Sequence, residues 1–415
     1  MNINDFIHRI FEIKSVEEFN SLALQAFDYQ RENCAVYKEY LTLIGKADFK
    51  PRTPEEIPFL PIRLFKTHDV VTTLPATSAQ SAKGVRISGT PQAPGTPQAP
   101  CNASSVPGVP VLRTPGTKKA KNVPGVPVLR TPGTPVTFTS SATTGMVPSH
   151  HIVQDISIYE QSFRNAFHHF YGENFNLLAL LPSYLEREGS SLVYMADALI
   201  KEAQQKGNTG GFFLYNHQEL LSTLKSLSGK TILLGVSFAL LDFAAFIKQQ
   251  IPNKEDRKAI FKDVIIMETG GMKGRGKELS RRELHSILSD AFSTAIHSEY
   301  GMCELLSQAY SFPLNNICQN DISTTGIFSN PPWMQVVLRD LQDPFKILSF
   351  EENGQSGGIN IIDLANIGSC CFIETEDRGT LYPSATTATR TIHSPFTVDG
   401  RIKNSELRGC NMLIE

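Results

Sequence analysis

The run KTILLGVSFALLDFAAFIKQQ, Lys230 to Gln250, decides the class of fold. Its first half, around TILLGV, is an apolar stretch without polar alternation, the mark of a strand covered on both faces. It runs directly into a helical stretch, ALLDFAAFIKQQ. The same alternation recurs on either side. FNLLALLPSY (Phe175–Tyr184) reads as a strand, and SSLVYMADALIKEAQQKG (Ser190–Gly207) as a helix closing on glycine. DVIIMETGG (Asp263–Gly271) reads as a strand ending in paired glycines, SRRELHSILSDAF (Ser280–Phe292) as a capped helix, and AIHSEYG (Ala295–Gly301) as a short strand. Strands alternating with helices predict an α/β fold with a parallel, helix-flanked sheet. Such sheets bind ligands at the carboxyl ends of their strands. From about Gln335 shorter segments alternate (QVVLRDL, GGINIIDL, SCCFIETEDRG), which predicts a mixed or antiparallel β region.

Toward the N-terminus, residues 1 to about 50 read as helical. Ser15 and Glu18 form a capping-box pattern, and Phe19, Leu22, Ala23 and Phe27 recur at helical spacing. A proline-rich stretch follows, with a strand expected near Arg63 to Val71. From about Leu74 to Pro135 the composition shifts to Thr, Pro, Gly, Ala and Ser. GTPQAP occurs twice in immediate succession, and VPGVPVLRTPGT occurs at Val106 and again at Val123. The unit is too short and proline-rich to stack as a solenoid, so the expectation is a flexible, PPII-like insertion. A proline-rich docking segment is the alternative. Four regions result: 1–74, the N-terminal helical part; 75–135, the insertion; 136–398, an α/β core; and 399–415, a hinge and short tail.

The 415 residues are 41% hydrophobic and 19% charged, with a formal net charge of −2, a composition that suits a globular chain and argues against bulk nucleic-acid binding. No apolar run approaches the roughly 18–20 residues of a membrane helix, and the acidic residues near the start do not suit a signal peptide. The 7 cysteines show no metal-ligand spacing. Reduced thiols in a cytoplasm are the simplest expectation.

Several segments carry chemistry. In PVTFTSSATTGMVPSHH (Pro135–His151), Thr139, Ser140, Ser141, Thr143, Thr144 and Gly145 make a hydroxyl-rich, glycine-ended run. Hydroxyls and free backbone N–H groups there can surround a polyphosphate, although the Walker A ending is missing and a plain linker would also look like this. METGGMKGRG puts Gly270 and Gly271 where backbone can approach a flat ligand, followed by Lys273 and Arg275. HSEYGMCELLSQAYS brings Tyr300, Gly301 and Glu304 together, and Glu304 offers a hard oxygen to Mg²⁺. FIETEDRG carries Glu374, Glu376 and Asp377, and VDGRIKNSELRGCNMLIE carries Arg401, Arg408 and Cys410. Each segment alone also has an ordinary structural reading: a turn, a core tyrosine, a solvated acidic stretch, or a small apolar residue in a last strand.

In this order, the segments resemble the adenylate-forming enzymes, and most of all the acyl-protein synthetases of the LuxE type. The longer strings LPSYLEREGSSLVYMA, METGGMKGRGKELSRRELH, SEYGMCELLSQAYS and GRIKNSELRGC carry the resemblance, which covers nearly the whole chain outside the insertion. It implies the large N-terminal domain of the adenylate-forming fold, helix-flanked mixed sheets plus a small β region. It also implies ATP-dependent activation of a carboxylic, in particular a fatty, acid. Under that resemblance Thr139, Ser140, Ser141, Thr143, Thr144 and Gly145 grip phosphates. Gly270, Gly271, Tyr300 and Gly301 line an adenine slot, Asp377 holds the ribose, and Glu304 binds Mg²⁺. Arg401 lies at the hinge, and His150 or His151 approaches the acyl carboxylate. The acyl group then moves to Cys410, near Arg408, for hand-over to an acyl-CoA-reductase-like protein or an acyl carrier. The lysine-bearing C-terminal domain of the larger enzymes is missing from the sequence, as in LuxE-type members. Two residues depart from the pattern: Ala142 stands where glycine is usual and Cys303 where threonine is usual. An acyl-CoA ligase-like enzyme and a catalytically impaired nucleotide- or partner-binding relative are the alternatives.

Overall fold

A computed structural model describes residues 1–75, 135–140, 147–182, 189–270, 279–311, 326–348, 356–382 and 395–402. The repeats of the insertion lie outside them. So do Ser141, Ala142, Thr143, Thr144 and Gly145, then Gly271, Lys273 and Arg275, and the tail with Arg408 and Cys410.

The chain opens with three helices, α1 (Ile3–Ile10), α2 (Val16–Asn33) and α3 (Ala35–Leu43). The capping box forms as its residues dictate: Glu18 N–H donates to Ser15 Oγ at 3.2 Å, and Ser15 N–H to Glu18 Oε2 at 3.3 Å. Phe19, Leu22, Ala23 and Phe27 are buried. Prolines then remove backbone donors, and only β1 (Leu60–Pro61) joins the sheet. The strand expected from Arg63 is absent. Ile62–Lys66 is instead a 3₁₀ turn that buries Phe65.

A hairpin follows, β2 (Val136–Thr139) paired antiparallel with β3 (His150–Val153). Next come α4 (Ile156–Tyr171), β4 (Asn176–Leu180), α5 (Ser191–Gln205), β5 (Gly210–Phe212) and α6 (His217–Ser226). The deciding run becomes β6 (Thr231–Val236) and α7 (Ser237–Gln250), with every β6 residue buried. After α8 (Lys254–Phe261) come β7 (Val264–Thr269), α9 (Arg281–Phe292) and β8 (Ile296–Tyr300). These strands pair in parallel in the order β5-β4-β6-β7-β8, as the helix–strand alternation predicts.

The sheet then changes sense without ending. β9 (Ala309–Ser311) runs antiparallel to β8, and β10 (Ile327–Ser329) antiparallel to β9. β11 (Met334–Arg339), β12 (Ser356–Asp363), β13 (Phe372–Leu381) and β14 (Phe396–Arg401) complete it in the order β11-β12-β13-β14-β10, all antiparallel. The result is one mixed α/β sheet, and one hydrophobic core spans both halves.

Thr72 and Gln154, which bracket the insertion, share an anchor. The Gly368 carbonyl accepts from the Thr72 N–H at 3.0 Å and from Gln154 Nε2 at 2.9 Å. Gln154 also donates to the Thr72 carbonyl. On the reading of 75–135 as an insertion, deleting Pro75 to Gly133 leaves the thermal melting point within a few degrees of the full chain. Loss of soluble protein would contradict that reading.

Candidate functional site

Of the residues singled out in the sequence, the described ones Gly270, Tyr300, Gly301, Glu304, Asp377 and Arg401 lie on or just after strands near the place where parallel pairing gives way to antiparallel pairing. The neck of the hydroxyl-rich run is fixed by its own backbone: Ser140 N–H donates to Ser149 O at 3.0 Å, and Ser149 N–H to Ser140 Oγ at 2.8 Å. Thr139 N–H donates to Gly189 O at 2.8 Å. Thr139 and Ser140 are half-buried at the entrance to that run.

Glu304 lies in the turn after β8, with 6% of its surface exposed. Burial raises its carboxyl above the ordinary range. The Ser149 hydroxyl, Glu304's own backbone and the charges of Arg401 and Lys66 pull against that shift. The hairpin neck and the Glu304 turn thus meet at Ser149, and the charges of two cations act on the carboxyl. Ser149 and Lys66 belong to this group although sequence reasoning passed over both. A single carboxylate with a hydroxyl beside it matches the sparse protein ligation usual for a Mg²⁺ held chiefly by phosphates. Among the described residues no cluster of three or more His, Cys, Asp or Glu forms a protein-only metal cage.

His151 is placed otherwise than expected of a group that approaches substrate. Its ring is buried at 1% exposure, edge-on to Phe65 with centroids 5.7 Å apart. Nδ1 lies 2.8 Å from the Cys303 carbonyl and Nε2 3.0 Å from Asn366 Oδ1. Both nitrogens face protein atoms, whereas the neighbouring His150 is exposed. Burial pushes the His151 pKa down to about 4, against the contacts with Cys303 and Asn366. Asn366, wholly buried, turns its amide nitrogen to the Glu304 carbonyl at 2.8 Å. Its own carbonyl accepts from Gln30 Nε2 at 3.2 Å, and Gln30 also donates to Ile367 O and Ser369 O. Asp363 clamps the other side of the turn, accepting from the N–H groups of Leu306 (2.8 Å) and Ser307 (3.0 Å) and from Ser307 Oγ (2.6 Å).

The second cluster sits on β8, β13 and β14. Tyr300 Oη donates to Asp377 Oδ2 at 2.9 Å, and Arg401 Nε lies 3.9 Å from Asp377 Oδ1. Burial raises the Asp377 carboxyl; the Tyr300 hydroxyl and the Arg401 charge oppose this. Arg401 is largely exposed, so its guanidinium remains free to meet another anion. At Gly301 an added Cβ would displace the Glu299 carboxylate, whose Oε1 lies against that position. Gly270 at the end of β7 takes a φ of +64°, the left-handed region open to glycine. Ser237 Oγ donates to its carbonyl at 2.6 Å. Behind it Glu268 is buried, and burial alone would raise its carboxyl. His285, Arg281 and Ser298 outweigh that and hold it below the ordinary range. Cys303 is buried and burial pushes its thiol up, leaving a neutral thiol at a position where a hydroxyl is usual in the resembled pattern.

No protein-family model matches the chain, and no curated protein matches its sequence. Solved structures with a similar arrangement include ATP-bound MatB from Rhodopseudomonas palustris (14% identity, TM-score 0.45, 64% of this chain and 47% of that one). The amide bond synthetase McbA from Marinactinospora thermotolerans is another (14%, TM-score 0.43, 63% and 48%). A third is MbtA from Mycobacterium smegmatis (14%, TM-score 0.40, 64% and 46%). The chain spans about half the length of these proteins. A likeness of this size assigns the chain no activity.

The His151 ring gives a pH test. The folded ring takes up a proton near pH 4 and the unfolded ring near 6.5, so its contribution is complete above 6.5 and lost as pH falls toward 4. In urea unfolding, the stability of the native chain relative to His151→Gln therefore falls by about 1.4 kcal/mol per pH unit across that window. Comparing the two proteins cancels other titrating groups such as Asp363, whose carboxyl burial pushes up to about 6. A difference independent of pH would contradict the assignment.

Proposed function

We propose that this protein activates a carboxylic acid, a fatty acid in the first instance, with ATP, and passes the acyl group to a cysteine thiol. The observation that carries the reading is the meeting of the hydroxyl-rich hairpin neck with Glu304, through Ser149 and beside Lys66 and Arg401. Both reactants are anions, so the protein's task is to neutralise charge and align the reacting atoms.

In this reading Thr139, Ser140, Ser141, Thr143, Thr144 and Gly145 take the phosphates, and Lys66 adds positive charge on that side. Gly270, Gly271, Tyr300 and Gly301 form the adenine slot. Tyr300 fixes one oxygen of Asp377 and leaves the other for the ribose hydroxyls, with Arg401 beside it. Glu304 would hold Mg²⁺, which when bound supplies positive charge to the departing pyrophosphate. His151 is assigned to holding the Cys303–Glu304 turn in place.

A carboxylate oxygen of the acid attacks the α-phosphorus, the bond from that phosphorus to the bridging oxygen breaks, and pyrophosphate leaves. The thiolate of Cys410 then attacks the acyl carbonyl. The carbon–oxygen bond to AMP breaks, AMP departs with the electron pair, and the thiol proton has gone to solvent. Arg408, two residues from Cys410, favours the thiolate. The thioester is suited to onward transfer to a reductase-like protein or a carrier.

Two measurements check this. Pyrophosphate exchange into ATP should depend on added carboxylic acid and fall by roughly 100-fold in Glu304→Gln. ATP binding without exchange for any acid, from short chain to long, would instead favour a nucleotide-binding relative that does not turn over. Labelled acyl group should remain on the denatured protein and be released by neutral hydroxylamine. Unchanged labelling of Cys410→Ser would remove that cysteine from the scheme.

A further inference from the structure

A cavity of about 590 Å³ opens where α3 and the proline-rich turn before β1 meet β11 and β13. We propose that it is a docking site for a segment of a partner protein, one that presents a bulky apolar side chain flanked by basic residues. The proposal does not depend on the ligase reading, because Thr139, Tyr300, Glu304 and Asp377 do not line this cavity.

Its walls are apolar, with Ile57, Phe59, Val337, Leu338, Ile347 and Leu381 among them. The volume falls within the range of specific binding pockets and exceeds that of any single side chain. A large apolar side chain is also exposed in its lining. Phe345, in the lining, is 57% exposed. An exposed phenylalanine at the edge of an apolar cavity is a ready contact for a second molecule.

Charge selects among occupants. The lining holds the carboxylates Glu55, Glu56 and Glu374 and the ammonium of Lys46, and with Glu374 offset by an arginine the balance is Glu55 and Glu56 against Lys46. Glu374 pairs with the buried Arg339 at 3.6 Å. Glu56 is exposed, and its carboxylate accepts from the Arg52 backbone N–H. Lys46 packs its Nζ over the Phe49 ring, 4.7 Å from the centroid. Glu55 and Glu56 leave the edge of this apolar cavity with an excess of negative charge. That edge complements an apolar anchor with lysine or arginine beside it.

The test pans a phage-displayed random peptide library on the full chain, then measures selected synthetic peptides by fluorescence polarisation. Selected sequences should carry an aromatic or large aliphatic residue next to Lys or Arg. Their affinity should fall at least tenfold on Phe345→Asp and on Glu55→Lys/Glu56→Lys, with thermal melting unchanged. If the double variant is insoluble, Glu56→Gln at its exposed position carries the charge test, with a smaller loss in the same direction. No enrichment over a blank surface, acidic consensus sequences, or equal affinity for the variants would overturn the proposal. So would saturable 1:1 binding of palmitate in this cavity in place of any peptide.

Discussion

The buried amide of Asn366 is the contact on which the candidate site depends. Its nitrogen donates to the Glu304 backbone, its side-chain oxygen faces His151, and its own backbone carbonyl is held by Gln30 of α2. One side chain thus fixes the turn that carries Glu304 to the strand that follows the hydroxyl-rich run, and ties both to the N-terminal helices. A buried polar group left without its partner costs about 1–3 kcal/mol, so each member of this network holds the others in position. Ordering of the site and folding of the N-terminal helices are therefore linked through Asn366 and the neighbouring backbone groups that Gln30 binds.

The sheet explains why the site lies there. Parallel strands β7 and β8 end at Thr269 and Tyr300, and β9 then reverses direction. At such a change neighbouring strand ends leave a crevice whose rim is backbone and short turns. Gly270 and Gly301 occupy those turns; the φ of Gly270 favours glycine, and a Cβ at Gly301 would displace the Glu299 carboxylate. β13 and β14 bring Asp377 and Arg401 to the same crevice from the antiparallel half. A single continuous sheet delivers groups from two architectures to one place.

Much of this was legible in the sequence. The parallel strands announced themselves because burial on both faces leaves an unbroken apolar run, as in β6 and β7. The capping boxes at Ser15 and Ser280 are local patterns that formed as written. Tyr300 and Asp377 were legible as a motif and a strand-borne acid, and the structure places them 2.9 Å apart. Asn366, Gln30, Asp363, Ser149 and Lys66 were not, because their roles come from packing between distant segments. His151 meets Asn366 across 215 positions and Gln30 meets it across 336, with no spacing rule to betray either. His151 itself was expected near the acyl carboxylate only because the resemblance to adenylate-forming enzymes implied it. Only its burial shows both nitrogens turned to the protein. The stretch from Arg63 misled for the opposite reason: its apolar residues suit a strand, but prolines before it limit pairing and Phe65 turns inward against the His151 ring.

The central claim is that this crevice holds an acyl group and an adenosine phosphate together. Isothermal titration with an acyl-sulfamoyl adenosine, a stable mimic of an acyl-adenylate, tests it most directly. The account predicts binding at least about 100-fold tighter than AMP, and a marked loss of affinity in Asp377→Ala. No tighter binding than AMP, or equal affinity for the native chain and Asp377→Ala, would contradict it.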